Sequence, residues 1–226
     1  MTKNLIIDCD GVLYPLSDIT VNDFVSAMKS VYREELHLSG EKQTEISEKT
    51  IKEGHLGLFN YIREICYACD YDFHKFCAQM CERIDYEKIA PNKKMLNTLT
   101  ALAADNRVFI WTNNCREHLA KVYDRLFALT EDELANRGIK SFDISSMEHE
   151  GYFYPKQSEE GFGMFLHKIS ARPEECVLFD DTERNIDIAR KNDVEGILIS
   201  ENKTLIKAVK PYIKLNFGAQ NIHKIG

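Results

Sequence analysis

The sequence predicts an α/β fold: a parallel sheet covered by helices on both faces, with a block of helices inserted after the first strand. Three observations predict it. Short, near-continuous apolar runs, Leu5 to Ile7, Arg107 to Trp111, Cys176 to Phe179 and Ile197 to Ile199, alternate with segments of helical periodicity, as buried parallel strands do. The first three runs stop abruptly at polar residues: Asp8, Thr112 and Asp180. From Pro15 to about residue 107 the strand pattern vanishes and helical spacing replaces it.

Taken in order, the run Asn4 to Ile7 delivers Asp8-Cys9-Asp10-Gly11 to a loop. On an extended backbone Asp8 and Asp10 point the same way, so the pair can share one cation or divide the duties of nucleophile and acid/base. Thr20 can cap a helix on which Val21, Phe24, Val25, Met28, Val31 and Tyr32 fall at helical spacing. Ser39-Gly40 ends it, a polar segment runs from Glu41 to Lys52, and a turn is expected at Gly54-His55-Leu56-Gly57. Leu58 to Cys69 and Phe73 to Ile84 complete a bundle of about four helices. Pro91 suits the first position of a helix running from Asn92 to Ala104. The strand Arg107 to Trp111 ends in Thr112-Asn113-Asn114, and a helix follows from Arg116 to Leu129. An acidic helical turn near Glu131 to Asn136 and a short strand within Ile139 to Ile144 come next. Beyond Tyr154-Pro155-Lys156, the residues Phe162, Phe165, Leu166 and Ile169 are spaced as on a helix. The strand ending in Asp180-Asp181, a helix from Thr182 to Lys191 and the strand Ile197 to Ile199 close the pattern.

The 226 residues carry 29 Lys and Arg against 36 Asp and Glu, a formal charge of −7, so no general cationic field gathers nucleic acid polymer. An anionic substrate therefore needs local positive charge, such as a metal. The opening apolar run is too short for a signal peptide and no apolar stretch is long enough to span a bilayer, so a cytoplasmic protein without a membrane partner is expected. Seven cysteines, an odd number, are expected as reduced thiols.

In a parallel sheet the strand ends carrying Asp8 and Asp10, Thr112 and Asn113, and Asp180 and Asp181, with Lys156, gather along one edge. Several carboxylates converging there call for a hard cation with oxygen ligands, most simply Mg²⁺. A lysine, a threonine hydroxyl and backbone amides are donors suited to phosphoryl oxygens, so the set reads as a phosphoryl-transfer site acting on a small phosphorylated substrate.

The order Asp8-Cys9-Asp10-Gly11-Val12, then Thr112-Asn113, then Lys156, then Asp180-Asp181 resembles the haloacid dehalogenase superfamily of phosphatases over roughly residues 4 to 200. Asp85-Tyr86, Ala90-Pro91-Asn92, His118 and the run Phe179 to Ile186 are similar to the yeast-type pyrimidine 5′-nucleotidase subgroup. The resemblance implies a Rossmann-like core at residues 1–15 and 91–226 and an all-helical cap at 16–90 that closes over the site and selects the substrate. It implies that Asp8 attacks phosphorus and becomes an aspartyl phosphate. Asp10 would protonate the leaving alcohol, deprotonate the hydrolytic water and offer its backbone carbonyl to Mg²⁺. Thr112 and Asn113 would hold the phosphoryl group, and Lys156 would neutralise it together with Asp8. Asp8 and Asp181 would bind the metal, Asp180 would be a further ligand or partner, and Asn185 stands where relatives often have an acid. Two positions depart from the family: Lys156 is preceded rather than followed by proline, and Glu53-Gly54-His55-Leu56-Gly57 replaces a Tyr-Gly-Thr-Thr-like turn. The implied activity is a Mg²⁺-dependent phosphomonoesterase, with nucleoside 5′-monophosphates as first candidates. A phosphotransferase, a phosphoprotein phosphatase, a receiver-like signalling module and a catalytically idle phosphate-binding protein are the alternatives.

Other residues admit two readings. Cys66, Cys69, Cys77 and Cys81, with His74, could be zinc ligands or apolar packing. His118 could orient a phosphate-site loop or lie on a helix surface. Trp111 reads as core, and Lys203, Lys207, Lys210, Lys214 and Lys224 as a solvated face.

Overall fold

The computed structural model of the chain describes residues 2–52 and 57–213. Seven strands lie among them: β1 (Asn4–Ile7), β2 (Arg107–Trp111), β3 (Ile139–Phe142), β4 (Glu148–His149), β5 (Tyr152–Phe153), β6 (Cys176–Asp180) and β7 (Glu195–Leu198). Five of them form one sheet in the order β3-β2-β1-β6-β7, with every pairing parallel. Alternate side chains explain the continuous apolar runs. Leu5 and Ile7 of β1, Val108 and Ile110 of β2, and Val177 and Phe179 of β6 enter one apolar core. Ile6, Phe109, Trp111 and Leu178 enter a second core on the opposite face, as a sheet buried on both sides requires. The chain leaves β1 toward β2 and β3, then returns to the other side for β6 and β7. The gap between the carboxyl ends of β1 and β6 is therefore the topological switch point, where open α/β folds bind ligands.

The insertion after β1 holds α1 (Val21–Glu34), α2 (Gly40–Lys52), α3 (Leu58–Ala68) and α4 (Phe73–Glu82). Thr20 caps α1 through a reciprocal capping box with Asp23. The polar segment from Glu41 to Lys52 falls within helix α2, one of the four helices expected in the insertion, and its Ile46 is buried in the core. The expected turn at Gly54 to Gly57 lies outside the described residues apart from Gly57, which precedes α3. Buried residues of this block, among them Val31, Ile62, Phe76 and Met80, are continuous with the core on the Leu5 face of the sheet.

Later helices are α5 (Lys93–Ala103), α6 (Arg116–Phe127), α7 (Glu131–Ala135), α8 (Glu159–Ile169), α9 (Glu183–Lys191) and α10 (Leu205–Ala208). Helix α5 begins at Lys93, two residues beyond Pro91, because the Asn92 side chain accepts from Met95 N at 2.9 Å and is the cap. The antiparallel hairpin β4-β5 is a feature the sequence reading did not contain; Glu150 and Gly151 supply its left-handed turn at φ 50° and 85°. Trp111 is fully buried and stacks on Phe165 at 4.0 Å between ring centres, the core role its position suggests. All seven cysteines are free thiols. Lys203, Lys207 and Lys210 are exposed, while Lys214 and Lys224 lie outside the described residues. Among the described residues no helix is long and apolar enough to cross a membrane.

Candidate active site

Strand β1 ends at Ile7, and the next residue places its carboxylate at the switch point. Asp8 N still donates to Phe179 O at 2.9 Å, so the backbone there is held by β6. Lys156, 1% exposed, sends its ammonium between two carboxylates: 2.6 Å from Asp8 Oδ1 and 3.0 Å from Asp180 Oδ2. It also donates to the Trp111 carbonyl at 3.0 Å, so all three ammonium protons have acceptors. Its loop is fixed by Asn113, whose Oδ1 accepts from Lys156 N at 2.9 Å and whose Nδ2 donates to Gln157 Oε1 at 2.7 Å. Burial opposes the charge on Lys156, but Asp180 and Asp8 outweigh it and hold the ammonium protonated.

Asp8 and Asp10 occupy different electrostatic environments. Burial, and then the Asp180 carboxylate, push Asp8 well above the ordinary carboxylate range, with Lys156 opposing. Burial also pushes Asp10 upward, but His118 beside it and hydrogen bonds from Tyr14 and Asn114 prevail, and its carboxyl sits well below that range. His118 Nε2 lies 2.8 Å from Asp10 Oδ1, Tyr14 donates a short hydrogen bond to the same oxygen, and Thr112 Oγ1 and Asn114 Nδ2 donate to Oδ2, each at 3.3 Å. The other imidazole nitrogen, Nδ1, is 2.8 Å from the Tyr86 hydroxyl. His118 is thus a buried member of the site, not a helix-surface residue. The Asp10 carboxylate is turned toward His118 and is absent from the oxygen cluster formed by Asp8, Asp180 and Asp181.

The ligand oxygens of Asp8, Asp180 and Asp181 lie within 4.8 Å of one another. An all-oxygen set of this kind suits a hard divalent cation. Burial and the neighbouring Asp180 also raise Asp181, so the cluster gathers negative charge that a dication would relieve. Asp180 is the exception within it. Its oxygens already accept from Lys156, from Thr182 N at 2.9 Å and from Asn185 Nδ2 at 3.0 and 3.1 Å. Gly11 gives Asp181 its place: at φ +74°, a Cβ there would overlap the Asp181 carboxylate.

Asp8, Asp10, Lys156 and Asp181 line one cavity of about 370 Å³, together with Thr112, Asn113 and Asn185. The sequence singled out every acid and the lysine that meet here. It did not single out Tyr14, Asn114 or Gln157, and it quoted Tyr86 only for the resemblance; Tyr14, four residues beyond Asp10, had the local spacing that could have drawn attention to it. The proposed cysteine site does not assemble among the described residues: of its four cysteines only Cys77 falls in a group with metal-ligand proximity, with Cys115 and Glu117, and His74 pairs with Glu117 at 3.1 Å. Cys66 and Cys77 instead belong to the apolar core, with Cys69 packed against it.

No family model matches the sequence, and no curated protein does. Solved structures match the fold. A HAD family enzyme of Bacteroides thetaiotaomicron, in complex with magnesium and inorganic phosphate, aligns at TM-score 0.55 over 91% of this chain and 98% of its own, with 15% identity. CbbY of Rhodobacter sphaeroides, in complex with phosphate, aligns at 0.55 over 91% and 89%, with 14% identity. The UTR4 protein of Saccharomyces cerevisiae aligns at 0.51 over 88% and 90%, with 15% identity. A parallel sheet with its acids at the switch point, matched over nearly the whole of these chains, gives this protein the fold of the HAD family enzymes.

Proposed function

We propose that the protein is a Mg²⁺-dependent phosphomonoesterase of the haloacid dehalogenase superfamily, acting through a covalent phosphate on Asp8. One observation carries the reading: two carboxylates two residues apart are given opposite environments, Asp8 against buried Lys156 and Asp10 against His118, in one cavity. Burial and Asp180 raise Asp8, so a dication held beside it is what would keep it ionised as the nucleophile, while Asp10, held low by His118, is the base and shares the acid's proton with that imidazole. The magnesium and phosphate bound by the Bacteroides thetaiotaomicron enzyme of the same fold support it.

Asp8, Asp181 and the Asp10 backbone carbonyl would hold the metal. When bound, Mg²⁺ offsets the charge of Asp8 and of the phosphoryl oxygens, so that nucleophile and anion can approach. An Asp8 oxygen attacks phosphorus and the ester P–O bond breaks. The proton for the departing alkoxide comes from the hydrogen-bonded pair Asp10–His118. Water then attacks the phosphorus, its proton passes to Asp10, and the bond from phosphorus to Asp8 breaks to release inorganic phosphate. Lys156 and Thr112 supply positive charge and a donor at the phosphoryl oxygens. Asp180, already saturated by donors, acts by holding Lys156 rather than as a ligand, and Asn113 by fixing the Lys156 loop. The helices of residues 16–90 serve as the cap: side chains of α1 and α3 line the cavity together with the acids. Nucleoside 5′-monophosphates are among the monoesters to be assayed.

Phosphate release from p-nitrophenyl phosphate tests the reading. Asp8→Asn and removal of Mg²⁺ by chelator should each reduce it to background, and undiminished release in either case refutes the mechanism.

A further inference from the structure

The cavity lining is of two kinds. Asp8, Asp10, Lys156 and Asp181 line it together with amide and hydroxyl side chains. The rest of the lining is largely apolar: Ile19, Phe24 and Val25 around α1, Phe59 of α3 and Phe153 of β5. Of the five large apolar side chains that stand exposed among the described residues, three line this cavity: Val21 at 73%, Leu16 at 48% and Leu58 at 40%. Exposed apolar side chains gathered at a cavity mark a binding surface.

The polar groups are placed with equal selectivity. Among the described lining residues Lys156 is the one cation, and it is occupied by Asp8 and Asp180. A polar side chain of the same lining, Asn60, is turned to the backbone of Phe153, donating to its carbonyl and accepting from its N–H, each at 2.9 Å. A second phosphate would find no cationic side chain other than Lys156 among the described lining residues, and sugar hydroxyls set against Phe24, Phe59 and Phe153 would lose water without gaining partners from those rings. The 370 Å³ volume is near the lower end of ligand pockets, which run from about 300 to 1,000 Å³.

Resting on the phosphomonoesterase reading, we infer that the substrate is a monophosphate ester of a small apolar alcohol or phenol, its phosphate at Asp8 and its hydrocarbon part against Phe24, Phe59 and Phe153. Phe24 also lies edge-on to His118, ring centres 5.0 Å apart, so a hydrocarbon seated there covers the Asp10–His118 pair from water.

The test is kcat/KM for n-alkyl monophosphates from ethyl to hexyl, phenyl phosphate, uridine 5′-monophosphate, glucose 6-phosphate and fructose 1,6-bisphosphate. Burial of each added methylene should raise kcat/KM about fourfold, so roughly 10²-fold from ethyl to hexyl, with the sugar esters and the nucleotide below phenyl phosphate. A flat alkyl series, or preference for the bisphosphate or the nucleotide, overturns this inference and leaves the phosphatase reading standing. Phosphate release from none of the esters overturns both. Val21→Arg, at an exposed rim position where folding is not at risk, should lower the ratio of hexyl phosphate to bisphosphate turnover at least tenfold; an unchanged ratio overturns the inference.

Discussion

Lys156 offers the sharpest test of the site's electrostatics. Its ammonium is buried, 2.6 Å from Asp8 and 3.0 Å from Asp180. At an effective dielectric of about 20 each contact is worth roughly 5–6 kcal/mol of attraction, most of it offset by taking the three charges out of water. Lys156→Met removes the attraction and leaves the desolvation, so it should lower the unfolding free energy by about 3–5 kcal/mol at pH 8 in chelator. The double variant Lys156→Met, Asp180→Asn should lose less than the sum of the two single losses, by about 1–3 kcal/mol. The pH dependence has a definite sign. Asp8, already raised and left without the opposing cation, is raised further above the unfolded value of about 3.9, so the folded variant binds more protons and its deficit grows as pH rises from 5 to 8. Lys156 in the parent chain contributes no slope there, because its raised folded pKa keeps it charged in both states until well above neutrality. Guanidinium unfolding followed by the single tryptophan reads the effect locally, since Lys156 Nζ is 6.0 Å from the Trp111 ring. A deficit below about 1 kcal/mol, or strictly additive single losses, would refute the reasoning.

Three further outcomes are expected. Gly11→Ala puts a side chain at φ +74° and against Asp181, so stability should fall by about 1–2 kcal/mol and the Mg²⁺ concentration for half-maximal activity should rise about tenfold or more; an unmoved Mg²⁺ midpoint contradicts the placement of Asp181. His118→Gln withdraws the group facing Asp10, and kcat should fall about 10²-fold with little change in KM; a change confined to KM would assign His118 to substrate binding instead. Thiol titration of the native protein at pH 8 should label Cys69 alone rapidly, because the other six cysteines are buried and burial pushes the Cys66 thiol up to about 12; two or more fast thiols would contradict the core packing.

The legible parts of the chain were those where one residue type dominates its surroundings. Strands buried on both faces write themselves as Leu5-Ile6-Ile7 or Cys176-Val177-Leu178-Phe179, and the acids stand out because they follow such runs directly. Helix α2 was legible only as one of about four helices in the insertion, without bounds of its own, because the segment from Glu41 to Lys52 is mostly polar. The hairpin β4-β5 was not legible, because two-residue strands are too short for any period. At the site, the sequence held the acids and Lys156 but not their assignment. Asp10 meets His118 across 108 residues and Lys156 meets Asp180 across 24, and no spacing rule joins such pairs. Adjacent aspartates at the end of β6 look alike in sequence; only the hydrogen bonds to Asp180 distinguish it from Asp181.

His118 joins the two halves of the molecule, and its contacts divide by origin. Tyr14, whose hydroxyl lies 3.4 Å from Nε2, comes just before the helical block, and Tyr86, 2.8 Å from Nδ1, comes just after α4. Both stand where the chain leaves or returns to the sheet. Phe24, by contrast, belongs to α1 within the block and meets the imidazole through its ring edge. An outward displacement of α1 to admit a substrate would therefore remove Phe24 while leaving the hydrogen bonds that orient His118 on Asp10. On the proposed mechanism, hydrogen bonds from Tyr14 and Tyr86 at the two ends of the helical block orient His118 on Asp10, while the Phe24 ring of α1 packs against the imidazole without a hydrogen bond, so orientation and shielding from water rest on different residues.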